Sequence, residues 1–168
     1  MQKIKNGGAK VLARIGIIAC LYIVLSLVSL PVGYVQLRVS EGLTILPLII
    51  PESAVALGIG CLLTNLITGC AVLDILLGSL ITLFSAFLTM FTAKIIKKAV
   101  WRVLIGGFFP VILNAFLLPL IWLYCYGTGE YVYYVQVLLL LASQSLSVYG
   151  VGSITYGVSY KLLLNEKA

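Results

Sequence analysis

Long apolar runs divided by compact basic clusters constrain this chain more than any other feature. The runs 11–30, 103–126 and 131–164 are apolar almost throughout. A bilayer is spanned by roughly 20 such residues. A further apolar stretch, 43–93, is broken at Pro47, Pro51 and Gly69. Only 10% of the residues are charged and the mean hydropathy is +1.17, where a soluble domain carries about 25% charged residues. In hydrocarbon every backbone N–H and C=O must be satisfied internally, so runs of this length become helices. The chain therefore reads as an all-α integral membrane protein with one membrane domain, 1–168. No polar stretch is long enough to fold alone. The first run is read as a retained spanning helix, not a cleavable signal, because it can span and nothing after it resembles a soluble mature protein.

The net charge of +6 is distributed in a way that excludes nucleic acid as the natural partner. Lys3, Lys5, Lys10 and Arg14 precede or open the first run. Lys94, Lys97, Lys98 and Arg102 lie between runs, and Lys161 and Lys167 close the chain. Basic residues concentrate on the cytoplasmic side of membrane proteins. Both ends and the 94–102 linker are thus expected inside, so each interval must hold an even number of crossings. The best count is six helices, over 10–31, 42–50, 52–67, 72–94, 102–126 and 131–164, with both termini cytoplasmic. The short second and third helices follow from the breaks at Pro47, Pro51 and Gly69.

One stretch, 36–79, combines this greasiness with Arg38, Glu41, Glu52, Asn65 and Asp74. An ionisable group at a helix centre costs about 2.5–3.5 kcal/mol on insertion scales, so it persists where it lines a cavity or finds a partner. Irregular backbone at membrane depth is tolerated under the same condition. Both arguments place the binding site here. The chain has no His, and its four cysteines form no C-x-x-C pair, so no metal site is expected. Without a base or paired acids at metal spacing, no residue is assigned a catalytic role and the chain is not read as an enzyme.

Three segments carry a resemblance: Gln36-Leu-Arg-Val-Ser-Glu-Gly-Leu-Thr-Ile-Leu-Pro47, Gly58-Ile-Gly-Cys-Leu-Leu-Thr-Asn65 and Leu73-Asp-Ile-Leu-Leu-Gly-Ser79. With the six short helices they resemble the substrate-binding S component of energy-coupling factor (ECF) vitamin transporters, and more narrowly the QueT family. The resemblance implies an S-component fold in a bacterial plasma membrane. It implies uptake of a queuosine precursor, a 7-deazaguanine such as 7-aminomethyl-7-deazaguanine or queuine. It also implies a membrane T component and two ATPase subunits as partners, with ATP used by those separate chains and no cofactor in this one. No Gly-x-x-x-x-Gly-Lys-Ser/Thr loop occurs in the sequence. The family docks through Ala-x-x-x-Ala on the first helix. This chain departs from that with Gly16 and Cys20, while Ala9 and Ala13 match it nearer the cytoplasmic margin. Small pairs at this spacing also serve packing within a chain.

A guanine-like edge presents a ring N–H and an amine that one carboxylate can accept. Glu41 and Asp74 are the leading carboxylates, both placed near the outer surface. A salt bridge to Arg38 and a first-turn helix-dipole role are their respective structural alternatives. Asn65 is preferred as a ligand amide. Asn114 and Gln144 stand inside apolar runs, where an amide needs a partner of either kind. Arg38 would bind a carbonyl or orient Glu41. Glu52 suits a cap or a partner contact. Tyr133 and Tyr134 are placed to stack on a flat base, although Trp and Tyr at these helix ends, Trp122 and Tyr126 included, also suit the interfacial aromatic belt. The rival readings are an S component for another vitamin and a stand-alone small-solute transporter driven by a membrane carboxylate. Against the second stands the expectation that no acid lies at mid-membrane.

Overall fold

The polar side chains of this chain turn inward and many apolar ones outward. Leu12, Val72 and Val100 are among the most exposed residues, while Ser40, Thr44, Thr89 and Asn114 are buried. That inversion is what lipid as a solvent demands. The computed structural model describes residues 2–28, 30–32, 35–127 and 130–165, with side chains for 8–28, 38–127 and 132–162.

Helix α1 covers Gln2–Leu27. A short antiparallel hairpin follows, β1 (Leu30–Val32) paired with β2 (Val35–Leu37). The first helix was expected over 10–31. It ends earlier because the chain around Pro31 pairs as strand, where a proline without an N–H can sit at a sheet edge. Next comes a 3-10 segment, Val39–Leu48, buried from Ser40 to Leu48. It replaces the helix expected over 42–50. At a rise of about 2.0 Å per residue its ten residues reach roughly 20 Å, further than an α-helix of that length.

Helix α2 (Ser53–Ile67) is followed by α3 (Val72–Ile95). Between them Gly69 adopts φ +69°. Its N–H donates to the Leu66 carbonyl and that of Cys70 to the Asn65 carbonyl, the Schellman closure that calls for glycine. Helix α4 runs Ala99–Tyr126 with Pro110 and Pro119 inside it. It starts before the expected 102, and the Arg102 side chain donates back to the Ile96 carbonyl near the end of α3. The last stretch is α5 (Glu130–Ser145), a π turn (Leu146–Val151) and α6 (Gly152–Asn165). The single helix expected over 131–164 thus carries an inserted π turn.

Four helical stretches are long and apolar enough to cross a membrane: Gly8–Leu27, Val72–Ile95, Ala99–Tyr126 and Val132–Leu162. The 3-10 segment and α2 are shorter apolar helices. The 3-10 segment is the hub of the bundle, in contact with α1, α2, α3, α4, α6 and the π turn. Two core clusters form on it. Leu43 and Leu46 pack with Tyr22, Leu57 and Ala86, and Ile45 and Leu48 pack with Val111, Val148 and Tyr156. Close packing without side chains permits this. A Cβ on Gly42 would lie 2.7 Å from Val151 Cγ1, and one on Gly152 would lie 2.8 Å from Ile45 Cγ1. In lipid, association rests on such close contacts because apolar burial offers little drive.

Two contacts tie the ends of the bundle. Glu52 stands at the N-cap position of α2, but its side chain makes no capping hydrogen bond; instead Arg14 Nη1 donates to Glu52 Oε1 at 3.2 Å. At the other end the Ala71 N–H donates to Tyr126 Oη at 3.2 Å.

Candidate functional site

A cavity of about 540 Å³ opens where α1 and α2 end, α3 begins, and α4 and α5 meet. Its polar lining includes Arg38, Asn65, Asp74, Trp122 and Gln136, with Tyr126 beside them. Below it lies a much smaller pocket of about 10 Å³, which shares Arg38, Asn65, Asp74 and Trp122 and adds Glu41, Thr82 and Asn114. That lower space matches about one water molecule.

The two carboxylates are held differently. Glu41 is 2% exposed. Tyr22 Oη donates to its Oε1 at 2.8 Å, and Asn114 Nδ2 donates to its Oε2 at 3.2 Å. Tyr22 reaches it because α1 and α2 approach closely: a Cβ on Gly60 would lie 3.0 Å from Tyr22 Cβ. Asp74, in the first turn of α3, accepts from Trp122 Nε1 at 3.2 Å. The helix-dipole position and a specific hydrogen bond therefore coexist there.

Glu41 was expected near the outer surface. Instead its partner Asn114 and its pocket neighbours Cys61 and Thr82 stand near the middle of α4, α2 and α3. The tight coil of the 3-10 segment carries Glu41 inward to that depth. Glu41 therefore lies level with the middle of these helices and not at their outer ends. The salt bridge to Arg38, the alternative reading of Glu41, does not form. Among the described residues the ion pair is Arg14–Glu52, and Arg38 lines both cavities without pairing to either acid.

Asn65 lines both spaces, its Nδ2 directed at Cys61 Sγ at 3.7 Å. Gln144 is buried but lines neither cavity. Tyr133 and Tyr134 line neither. Tyr133 Oη donates to the Phe116 carbonyl at 3.5 Å, and Tyr134 is 66% exposed. Tyr134 faces outward and half-buried Tyr133 reaches α4 instead, so the aromatic walls come from Trp122 and Tyr126 on α4. Ala9, Ala13, Gly16 and Cys20 are all exposed on α1. Gln136 and Tyr22 were not singled out from the sequence. A tyrosine hydroxyl well inside an apolar run needs a partner, and that signal pointed to Tyr22.

A family model described as QueT transporter matches residues 12–161. No curated protein and no solved structure matches the chain. The match covers nearly the whole sequence, including every described residue that lines the two cavities, and the chain belongs to the QueT transporter family.

Proposed function

We propose that this membrane transporter is the substrate-binding S component of an ECF importer and that the upper cavity binds a 7-deazaguanine precursor of queuosine. The observation that carries this reading is the polar set of Asp74, Asn65 and Arg38 beside the Trp122 and Tyr126 rings in one cavity. A volume of about 540 Å³ lies within the roughly 300–1,000 Å³ usual for small ligands. Pockets that read a free base combine hydrogen bonds to its edge with aromatic stacking. Asp74 suits the donor edge of the base, Arg38 its carbonyl, and Trp122 or Tyr126 its face. In this reading the chain crosses the membrane six times with both ends in the cytoplasm of a bacterium. The cavity then faces outward, since it lies away from the 94–102 basic linker between α3 and α4. A T component and two ATPase subunits complete the importer. The small residues Ala9, Ala13, Gly16 and Cys20 form the docking stripe on α1.

Calorimetry on the detergent-purified chain tests the substrate. The panel is 7-aminomethyl-7-deazaguanine, its nitrile counterpart and queuine, against guanine, riboflavin and biotin. A deazaguanine binds, and Asp74→Asn weakens it roughly 10- to 150-fold, the scale of a hydrogen bond to a charged group. Binding of a vitamin with no deazaguanine bound sinks the queuosine assignment. For docking, Gly16→Leu is expected to abolish cellular uptake and co-purification with the T component while the isolated chain binds as before. A Cβ on Gly16 meets nothing within 4 Å in the chain. Normal uptake by this variant removes the stripe from the mechanism.

The mid-height position of Glu41 favours a second reading, a stand-alone transporter driven by that carboxylate. Uptake in cells lacking all ATPase partners separates the two.

A further inference from the structure

The basic turn between α3 and α4 has no acid to answer it. Lys94, Lys97, Lys98 and Arg102 fall close together, and the sequence holds no Asp or Glu between Asp74 and Glu130. Among the described residues the one acid at this end of the bundle is Glu52, and it is paired with Arg14. Two of the four cations fold back on the protein. Lys94 Nζ lies 5.1 Å from the centre of the Phe91 ring, and the Arg102 side chain donates to the Ile96 carbonyl. These contacts shape the turn. Lys97 and Lys98 are exposed side by side and form no ion pair among the described residues.

The same turn presents an apolar shelf. Ile95 and Val100 are among the most exposed residues of the chain, and Trp101 is 54% exposed. A tryptophan at the end of a spanning helix sits at headgroup level. Lysine stems lie along apolar surface and carry the ammonium out to water. A phospholipid has the same order of parts, from apolar tail through glycerol to phosphate. The opposite end of the bundle repeats the aromatics with Trp122, Tyr124 and Tyr126, but the sequence holds no basic residue between Arg102 and Lys161. Aromatic anchoring is thus common to both ends, and the lysines distinguish one of them. Clusters of Lys and Arg immediately beside a spanning helix attract anionic lipid.

We propose that the α3–α4 turn binds the headgroup of an anionic phospholipid. Its phosphate lies against Lys97 and Lys98, and its acyl chains lie against Ile95, Val100 and Trp101. A lipid held there fixes the level of the turn, and with it the start of α4, in that leaflet. The site is separate from the two cavities and does not depend on what they hold.

Native mass spectrometry tests this on the full chain, released from mixed micelles of equal phosphatidylglycerol and phosphatidylcholine. A lysine near an anionic surface is worth about 5-fold, so the wild type is expected to retain phosphatidylglycerol over phosphatidylcholine by about 25-fold at low salt. The double variant Lys97→Gln with Lys98→Gln retains the two lipids alike. The control, Lys10→Gln with Lys161→Gln, removes the same charge from elsewhere at that end and keeps the preference. All four side chains are exposed, and equal melting temperatures report intact folds. Equal retention of both lipids by the wild type overturns the proposal. A preference lost to the same extent in both double variants also overturns it, because net charge and not the turn then selects the lipid. So does displacement of the lipid by excess inorganic phosphate, which makes the turn a site for the free anion. None of these outcomes touches the deazaguanine reading of the upper cavity.

Discussion

Glu41→Leu is expected to damage stability and ligand binding together. Leucine fills the space but accepts nothing, so Tyr22 Oη and Asn114 Nδ2 lose the partner each has in the wild type. Both residues are buried, at 1% exposure each. Each orphaned group costs about 1–3 kcal/mol, so the pair costs about 2–6 kcal/mol. That is a large share of a typical total stability of about 5–15 kcal/mol. Thermal unfolding in detergent should fall by about 5 °C or more, and binding should drop below detection. Glu41→Gln should be milder in stability because its amide can still meet both neighbours. The combination Tyr22→Phe with Glu41→Leu should recover part of the loss, since replacing both partners is cheaper than stranding one. A Glu41→Leu chain that melts with the wild type would show that these two bonds hold nothing together.

Gly152→Val reaches the same site from the opposite end of the sequence. A Cβ there would lie 2.8 Å from Ile45 Cγ1 and 3.1 Å from the Gly42 carbonyl oxygen. Neither atom belongs to a flexible side-chain tip, so the 3-10 segment must move. Overpacking of this kind costs about 1–3 kcal/mol. The larger effect falls on the ligand, because Gly42 directly follows Glu41. A displacement of about 1 Å in a preorganised site can cost about 100-fold, and binding is expected to weaken on that scale. Gly157→Val is the control, since a Cβ at Gly157 meets nothing within 4 Å. Ligand binding by Gly152→Val equal to that of the control removes this contact from the positioning of Glu41.

The sequence by itself determined the class of molecule and the stretch that carries the site. Apolar length and basic clusters are local or one-dimensional quantities, so helices and their approximate breaks at Pro47, Pro51 and Gly69 are written in composition and order. The cost of placing Arg38, Glu41, Asn65 and Asp74 in a greasy stretch is equally independent of the fold, and all four line the cavities. Other features depended on which face of a helix meets which neighbour. Tyr133 and Tyr134 lie close in the chain to the site but point elsewhere, while Trp122 and Tyr126 supply its aromatic walls. The partnership of Glu41 with Tyr22 and Asn114 joins three elements far apart in sequence. Its depth follows from a 3-10 coil, stabilised by burial against five helices and by the glycine contacts at Gly42 and Gly152. Hydrogen-bond partners and burial are properties of the packed bundle, and only the tertiary structure decided them.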